Sequence, residues 1–480
     1  MSRTVMKNLD LFSGRKGLFL VLSAIILCLG LSVSYPLGIL PLEGVFLSLV
    51  LPLVFLLFLV RQETMLLAIV AAYFGAGYLF PELLIQGLIR SVLLLLMGLM
   101  LVLRSGAKQV INRVSTPLDK MIFLWLTVIA ISFFYGLYRG NETGYLAGDL
   151  FKFVEIISVF WLTTFIVRTR RQVRFLIWGF LFVVLVFGAI DLITFLSRAS
   201  FVGGALGARV RAGVQFSSIF ALLLVMSLML YERKRRTRLV LTFLGILFFF
   251  GFAVSFLRTG YVALPVAAVV VFLLHLHKNK VRSLTGTVNF VPLVVLSVVS
   301  LILASMIIMA INPDIDLIKA TFTRLGTFTD PTISSPLGVR MLEIRSIFSD
   351  VLTRSPLIGN GLGGEYYSPS EVLGEGLRWG MKHYVHNNYF DFLVRTGILG
   401  LLVFVLIAFK YLRDVIRFYL KSEDRFYQEV LLGSIGIFIA VCIIALSSGI
   451  FYSPFVFMVM AMSYCVAHLE QHKSLGANEK

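Results

Sequence analysis

The chain has 480 residues, of which 59% are hydrophobic and only 14% are charged, and its formal net charge is +18. A soluble fold of this size could not bury so much apolar surface, so the sequence predicts a membrane protein. The three cysteines all lie inside apolar runs, which excludes a disulfide framework and a cysteine metal cluster. On a soluble protein the positive charge would indicate nucleic acid, but here membrane topology must be tested first.

Apolar runs long enough to cross a bilayer recur along the whole chain and predict an all-α, polytopic transmembrane bundle of about 12 to 14 spans. They lie near residues 17–34, 37–60, 64–80, 83–103, 120–138, 150–167, 173–196, 213–231, 238–257, 260–276, 291–311, 390–412, 428–448 and 450–468. The predicted organisation is helices with short loops over 1–311, one large loop over 312–389, and further helices with a tail over 390–480.

Most of the 43 Lys and Arg residues lie in alternate connections, such as 168–174 and 232–238, on the side that also holds the N-terminus. Cytoplasmic loops carry this excess of positive charge, so both termini are predicted to be cytoplasmic and the large loop to be periplasmic. The net charge is then a topology signal, and no nucleic-acid partner is expected.

The large loop contains a predicted amphipathic helix from Leu337 to Arg354, which Ser355-Pro356 would end. Its apolar positions at helical spacing are Met341, Ile344, Phe348 and Val351, with Ile347 and Leu352 alongside. The polar residues Arg340, Glu343, Arg345, Ser349 and Asp350 are expected elsewhere on the helix. A glycine-rich stretch over 359–364 follows and predicts a flexible turn.

Ionisable residues inside predicted spans are costly, so they indicate function or pairing. For Lys152, the sequence predicts an internal ion pair, because Asp149 and Glu155 lie three residues to either side. Arg90 has no oppositely charged neighbour in sequence, which leaves structural and functional roles equally open.

Arginines on the outer side run against the usual charge bias, and the candidates for an anion site are Arg198, Arg209, Arg211, Arg258, Arg340, Arg345 and Arg354. Arg258 stands out because a connection of only a few residues holds it at the membrane surface. Guanidinium groups bind phosphate oxygens through paired hydrogen bonds, so several of them could hold a diphosphate without a metal. The alternative is that outer arginines only reach for lipid headgroups.

Two histidines, His383 and His386, lie where the large loop re-enters the membrane, beside Asn387 and Tyr389. A neutral imidazole with a pKa of about 6.5 can take a proton from a sugar hydroxyl near neutral pH. A hydrogen-bonded histidine at the membrane interface is the alternative.

The order His386-Asn387, nine residues, Gly397, two residues, Gly400 resembles the signature of the O-antigen ligase and polymerase superfamily. Further resemblance occurs in the same order at Arg211-Ala-Gly213, at Arg258-Thr-Gly260, at Arg340 and at 355–361. The resemblance covers about residues 200–400. One departure is Leu401, where the ligase pattern has Thr or Ser. This departure weakens the assignment as a ligase relative to that as a polymerase.

The resemblance implies an inner-membrane glycosyltransferase that uses an undecaprenyl-diphosphate-linked glycan on the periplasmic face, with no cofactor and no metal. It implies His386 as the general base and Arg211, Arg258 and Arg340 as the diphosphate site, with lipid A-core or another glycan as acceptor in a setting of membrane lipids. Supporting roles fall to Asn387, Tyr389, His383 and Arg90. Three alternatives stay open: a protein oligosaccharyltransferase, a lipid-glycan transporter and a non-enzymatic assembly scaffold.

Overall fold

A computed structural model describes residues 62–79, 90–95, 98, 113–199, 214–255, 257–279, 302, 305–306, 336–372 and 376–478. The predicted all-α polytopic bundle is confirmed, with one small hairpin added. The elements are α1 (Gln62–Leu79), α2 (Asp119–Tyr138), α3 (Thr143–Ile166), α4 (Arg170–Ala199), α5 (Val214–Tyr231), α6 (Arg235–Ser255), α7 (Arg258–Lys278), α8 (Pro336–Arg354), β1 (Tyr366–Val372), β2 (Gly376–Lys382), α9 (Asn388–Lys421), α10 (Arg425–Ile444) and α11 (Pro454–Asn478).

Six of the described helices contain segments long and apolar enough to span a membrane. These segments belong to α2, α4, α6, α7, α9 and α10. These six helices coincide with predicted spans. The spans predicted at 17–34 and 37–60, and most of those at 83–103 and 291–311, lie outside the described residues.

The helix ends follow local sequence signals. The side chain of Asp424 accepts a hydrogen bond from the Phe426 backbone N–H and so caps α10. Pro454 is the first residue of α11, where its missing N–H costs nothing. Pro454, which interrupts the apolar pattern of the sequence, therefore starts a helix.

The core of the bundle is built around α10, which packs against α5, α7, α9 and α11. A second set of contacts joins α9 to α2 and α11 to α3. Trp125 of α2 is fully buried there and meets the rings of Phe153 and Phe392 edge-on, at centroid distances of 5.4 and 5.7 Å. This aromatic packing holds the first turns of α9 in place.

The amphipathic helix predicted from Leu337 is confirmed as α8, but its buried face agrees only in part with the predicted apolar one. Ile347 and Val351 are fully buried, and Glu343 lies one turn earlier on the same face. Met341 and Phe348 are instead exposed. The face turned toward the protein therefore carries a carboxylate.

An antiparallel hairpin follows α8, with Tyr366 paired to Lys382 and Val372 to Gly376. Tyr366 is buried between the hairpin and α8, whereas Tyr367 and Trp379 stack on each other on the exposed face. The hairpin returns the chain to the bundle just before α9.

Candidate functional site

His386 lies in the short connection between β2 and α9, where the loop rejoins the bundle. Its side chain is 43% exposed, and its Nδ1 atom lies 3.2 and 3.3 Å from the two carboxylate oxygens of Glu343. The ring meets that of Tyr384 edge-on, at a centroid distance of 5.0 Å. A carboxylate thus holds one ring nitrogen, and Nε2 makes no hydrogen bond to any described residue.

The side chain of Glu343 is almost completely buried beneath His386. Its Oε1 atom lies 2.6 Å from the Tyr366 hydroxyl, which is also 2.9 Å from the Tyr384 carbonyl oxygen. Burial by itself raises the pKa of Glu343, but hydrogen bonds from His386 and Tyr366 outweigh it, so that the pKa lies below its usual value. Glu343 is therefore a carboxylate at neutral pH. Burial and the Glu343 charge raise the pKa of Tyr366, which stays a hydrogen-bond donor.

Arg340 lies three residues before Glu343 on α8 and is half-buried. Burial lowers the pKa of its guanidinium, while the charge of Glu343 and the proximity of Tyr384 act in the opposite direction. A guanidinium stays protonated under all ordinary conditions. Both predicted site residues therefore interact with Glu343, His386 through close contact of Nδ1 with the carboxylate and Arg340 through the attraction of its charge.

Arg258 is the first residue of α7 and is half-buried. The next residue, Thr259, accepts a hydrogen bond of 3.0 Å from the Ser447 hydroxyl. One residue before Ser447, the Leu446 carbonyl accepts a bond of 3.0 Å from the Asn387 side chain. The link after α10 therefore ties the start of α7 to the start of α9, so Arg258 and His386 lie at the same end of the bundle.

The side chains of Asn387 and Tyr389 form hydrogen bonds with backbone groups. The Asn387 Oδ1 atom accepts hydrogen bonds from the backbone N–H groups of Tyr389 and Phe390, which makes Asn387 the N-cap of α9. The Tyr389 hydroxyl donates to the Cys442 carbonyl over 3.0 Å. Both side chains thereby fix the helix that follows His386.

A buried ion cluster lies on the other side of the same connection. Arg395 of α9 contacts Asp149 of α3 through Nη1 and Asp391 through Nη2, the latter at 3.0 Å. Its Nη2 also donates to the His383 carbonyl over 3.0 Å, and the Tyr452 hydroxyl donates to Asp391. Burying these charges is tolerable because each one is paired and hydrogen-bonded.

His383 belongs to this ion cluster. Its Nε2 atom lies 3.3 Å from Asp149, and its ring stacks on Tyr145 at a centroid distance of 4.2 Å. The ion pair predicted for Lys152 is present, with Nζ 3.1 Å from Asp149. The other predicted partner, Glu155, instead pairs with Arg90 at 3.3 Å, so Arg90 has a partner from a different part of the chain. Arg211 lies outside the described residues.

The glycine-rich stretch after α8 is buried and fully engaged, in contrast to the flexible turn predicted from the sequence. Gly359, Gly361 and Gly363 all have positive φ, where glycine is least strained. Gly361 lies so close to α2 that an added Cβ would be 2.7 Å from the Gly136 backbone nitrogen. The Gly363 N–H donates to Asp149 over 3.0 Å. The stretch therefore wedges between the helices and joins the ion cluster.

Residues 245–405 match the family model described as O-antigen ligase. This segment, called the O-antigen ligase domain, is similar to that family. The predicted superfamily is thereby confirmed, and the match indicates a membrane glycosyltransferase-type enzyme whose substrates are lipid-linked glycans. The O-antigen ligase domain contains α7, α8, the hairpin and His386, whereas Arg90 and Arg211 precede it. No curated protein matches the chain significantly.

Two residues of the O-antigen ligase domain, Glu343 and Arg395, were not predicted as site residues from the sequence. Glu343 stands on α8 in register with Ile347 and Val351, and a carboxylate at such spacing on the apolar face was the available signal. Arg395 lies four residues after Asp391 in an apolar run, where an ionisable pair indicates a buried role.

Proposed function

We propose that this protein is an O-antigen ligase-like glycosyltransferase of the bacterial inner membrane. It moves a glycan from undecaprenyl diphosphate to a sugar of lipid A-core, with inversion and without a metal. The active site faces the periplasm, and both termini are cytoplasmic. The match to the O-antigen ligase family supports the reaction class, and the topology rests on the distribution of Lys and Arg.

The observation that carries the proposal is the half-exposed imidazole of His386 on the buried Glu343 carboxylate. A histidine held in this way at Nδ1 presents Nε2 as a proton acceptor. Because the ring lies where the loop meets the first turn of a spanning helix, an acceptor sugar can reach it from water while the carrier lipid stays in the bilayer.

In the proposed step, Nε2 of His386 takes the proton of the acceptor hydroxyl as its oxygen attacks the anomeric carbon. The bond between that carbon and the diphosphate oxygen breaks on the opposite face. Undecaprenyl diphosphate departs with the electron pair, and the configuration at the carbon inverts. The proton on His386 is then released to the departing diphosphate or to solvent.

Arg340 and Arg258 are proposed to bind the diphosphate and to stabilise the negative charge that grows on it, together with Arg211. Arg340 stands beside Glu343, and Arg258 opens α7 at the same end of the bundle. The N-termini of α7 and α9 add partial positive charge there. Asn387, Tyr389, His383 and Arg90 support the site by fixing helices and the loop.

A repeat-unit polymerase of the same superfamily is the second candidate, because Leu401 stands where the ligase pattern has a hydroxyl residue. Both enzymes share donor and chemistry and differ in the acceptor. A protein acceptor or a transport role has less support.

The test is an assay with purified protein, an undecaprenyl-diphosphate-linked glycan and lipid A-core. Glycan-capped lipid A-core identifies a ligase, and longer carrier-linked glycan identifies a polymerase. In either case His386→Ala should slow transfer by about 10²- to 10⁴-fold, the usual contribution of a general base. Wild-type turnover by His386→Ala, or no transfer by the wild-type protein to any glycan, would refute the proposal.

A further inference from the structure

The two nitrogens of His386 have different surroundings, and this asymmetry decides which of them can act as a base. Nδ1 faces both oxygens of Glu343 at 3.2 and 3.3 Å. A carboxylate at this distance favours the tautomer with a proton on Nδ1, which leaves the lone pair of Nε2 exposed. Without such a partner, the imidazole would populate both tautomers and rotate more freely.

Glu343 is itself rigidly held. It projects from the same face of α8 as Ile347 and Val351, which pack in a small apolar cluster with Tyr366 and Val385. The Tyr366 hydroxyl lies 2.6 Å from Glu343 Oε1. The buried carboxylate therefore has hydrogen-bond donors on two sides and little freedom to move.

We infer that Glu343 is the positioning residue of the catalytic histidine and that Tyr366 holds Glu343 in place. This inference rests on the proposed function. Glu343 fixes the tautomer of His386 and stabilises the imidazolium that forms when Nε2 accepts the proton of the acceptor hydroxyl. The Nδ1 proton stays on the ring throughout, and Glu343 stays ionised.

The hairpin gives this arrangement a mechanical basis. Tyr366 opens β1, and His386 follows β2 by four residues, so the paired strands fix the distance between them. Glu343 of α8 contacts both Tyr366 and His386. Displacement of α8 from the hairpin would remove the carboxylate from the imidazole, so the base is assembled only when the loop is packed.

The substitution Glu343→Gln tests the inference, because glutamine keeps the shape and an acceptor oxygen but loses the charge. We expect kcat to fall by about 10- to 100-fold with little change in KM for either substrate. The acidic limb of the pH–activity profile should move to lower pH, since the imidazolium loses its stabilising carboxylate. The other charged groups around the pair, Arg340, Lys382 and Asp391, are unchanged in this variant.

Three further variants sharpen the test. Glu343→Asp should recover part of the activity, and Tyr366→Phe should lower kcat by a smaller factor than Glu343→Gln. Glu365→Gln, which neutralises the carboxylate next to Tyr366, should leave both kcat and the pH profile unchanged. In a His386→Ala background, Glu343→Gln should cause no additional loss, because the two residues act as one unit.

A purely structural role for Glu343 predicts a different result. Glu343→Gln would then lower the thermal unfolding temperature in detergent while kcat and the pH limb stayed at wild-type values, and this outcome would overturn the inference. Failure of the proposed function is distinguishable, because it would show as a fully active His386→Ala variant or an inactive wild-type protein.

Discussion

At the scale of single residues, the Asp149 carboxylate contacts four different groups. They are Arg395, the Lys152 ammonium at 3.1 Å, His383 Nε2 at 3.3 Å and the Gly363 N–H at 3.0 Å. These groups come from α3, the glycine-rich stretch, the connection before α9, and α9 itself. One buried carboxylate therefore joins the loop to two helices of the bundle.

The contribution of Asp149 to stability should greatly exceed that of Lys152. Asp149→Ala leaves the buried Arg395 with one carboxylate fewer, and removing one partner of a buried pair costs about 3–5 kcal/mol. Lys152 is 39% exposed, so Lys152→Ala should cost about 1 kcal/mol or less. Thermal unfolding of both variants in the same detergent measures the difference. Equal unfolding temperatures would show that the ion cluster does not hold the loop.

At the scale of elements, the glycine-rich stretch after α8 (359–364) packs between α2 and α9 as a wedge that bonds to both. The Asn141 side chain donates to the carbonyls of Asn360 and Leu362 over 3.0 and 2.8 Å, and the Leu362 N–H donates to the Ser132 carbonyl over 3.1 Å. Within the stretch, the Asn360 N–H donates to the Val394 carbonyl of α9 over 2.6 Å. Because the backbone of the stretch bonds to α2 on one side and α9 on the other, it fixes their separation.

Alanine substitutions at Gly361 and Gly140 allow the cost of backbone strain to be measured separately from the cost of a steric clash. Gly361 and Gly140 both have positive φ, of 78° and 73°. An added Cβ meets the Gly136 backbone at Gly361 but nothing within 4 Å at Gly140. Gly140→Ala should therefore cost only the conformational penalty of about 1–2 kcal/mol, whereas Gly361→Ala should cost more and also reduce transfer.

The measurements for this pair are thermal unfolding in detergent and the transfer assay. Gly140→Ala serves as the control, because it carries the same backbone strain without the contact. If Gly361→Ala were as stable and as active as Gly140→Ala, the wedge would not determine the position of α2.

The same stretch shows what sequence can and cannot predict for an element. The four glycines among the six residues 359–364 correctly indicate a turn, but a flexible turn and a tightly buried turn both require glycine. The hairpin was missed for a related reason. Its strands contain Gly, Pro, Ser and Arg in place of an alternating apolar pattern, and its inner face is set by the burial of Tyr366 against α8.

At the scale of the whole molecule, the long apolar runs predict the helices well, because burial in a bilayer requires continuous hydrophobicity. The site is predicted only in part. His386 and Arg340 can be predicted because both lie in sequence motifs that resemble a known family. The partner of His386 lies 43 residues away on α8, and no local pattern in the sequence joins the two. The pair exists only because the hairpin folds the loop back on itself.

The final prediction concerns the donor, whose diphosphate we expect to contact two separate elements. Arg258 opens α7 and Arg340 stands on α8, so binding of the diphosphate should need both. Arg258→Ala and Arg340→Ala should each lower kcat/KM for the lipid-linked donor by about 10- to 100-fold, the usual effect of losing a hydrogen bond to a charged group. KM for the acceptor should change little.

The lysine variants and a surface control give this prediction its specificity. Arg258→Lys and Arg340→Lys should recover only part of the activity, because lysine keeps the charge but loses the paired hydrogen bonds of guanidinium. Arg345→Ala, an exposed arginine on α8, should leave donor kinetics unchanged. Equal losses for donor and acceptor in the alanine variants would show that these arginines shape the whole site and do not recognise the diphosphate.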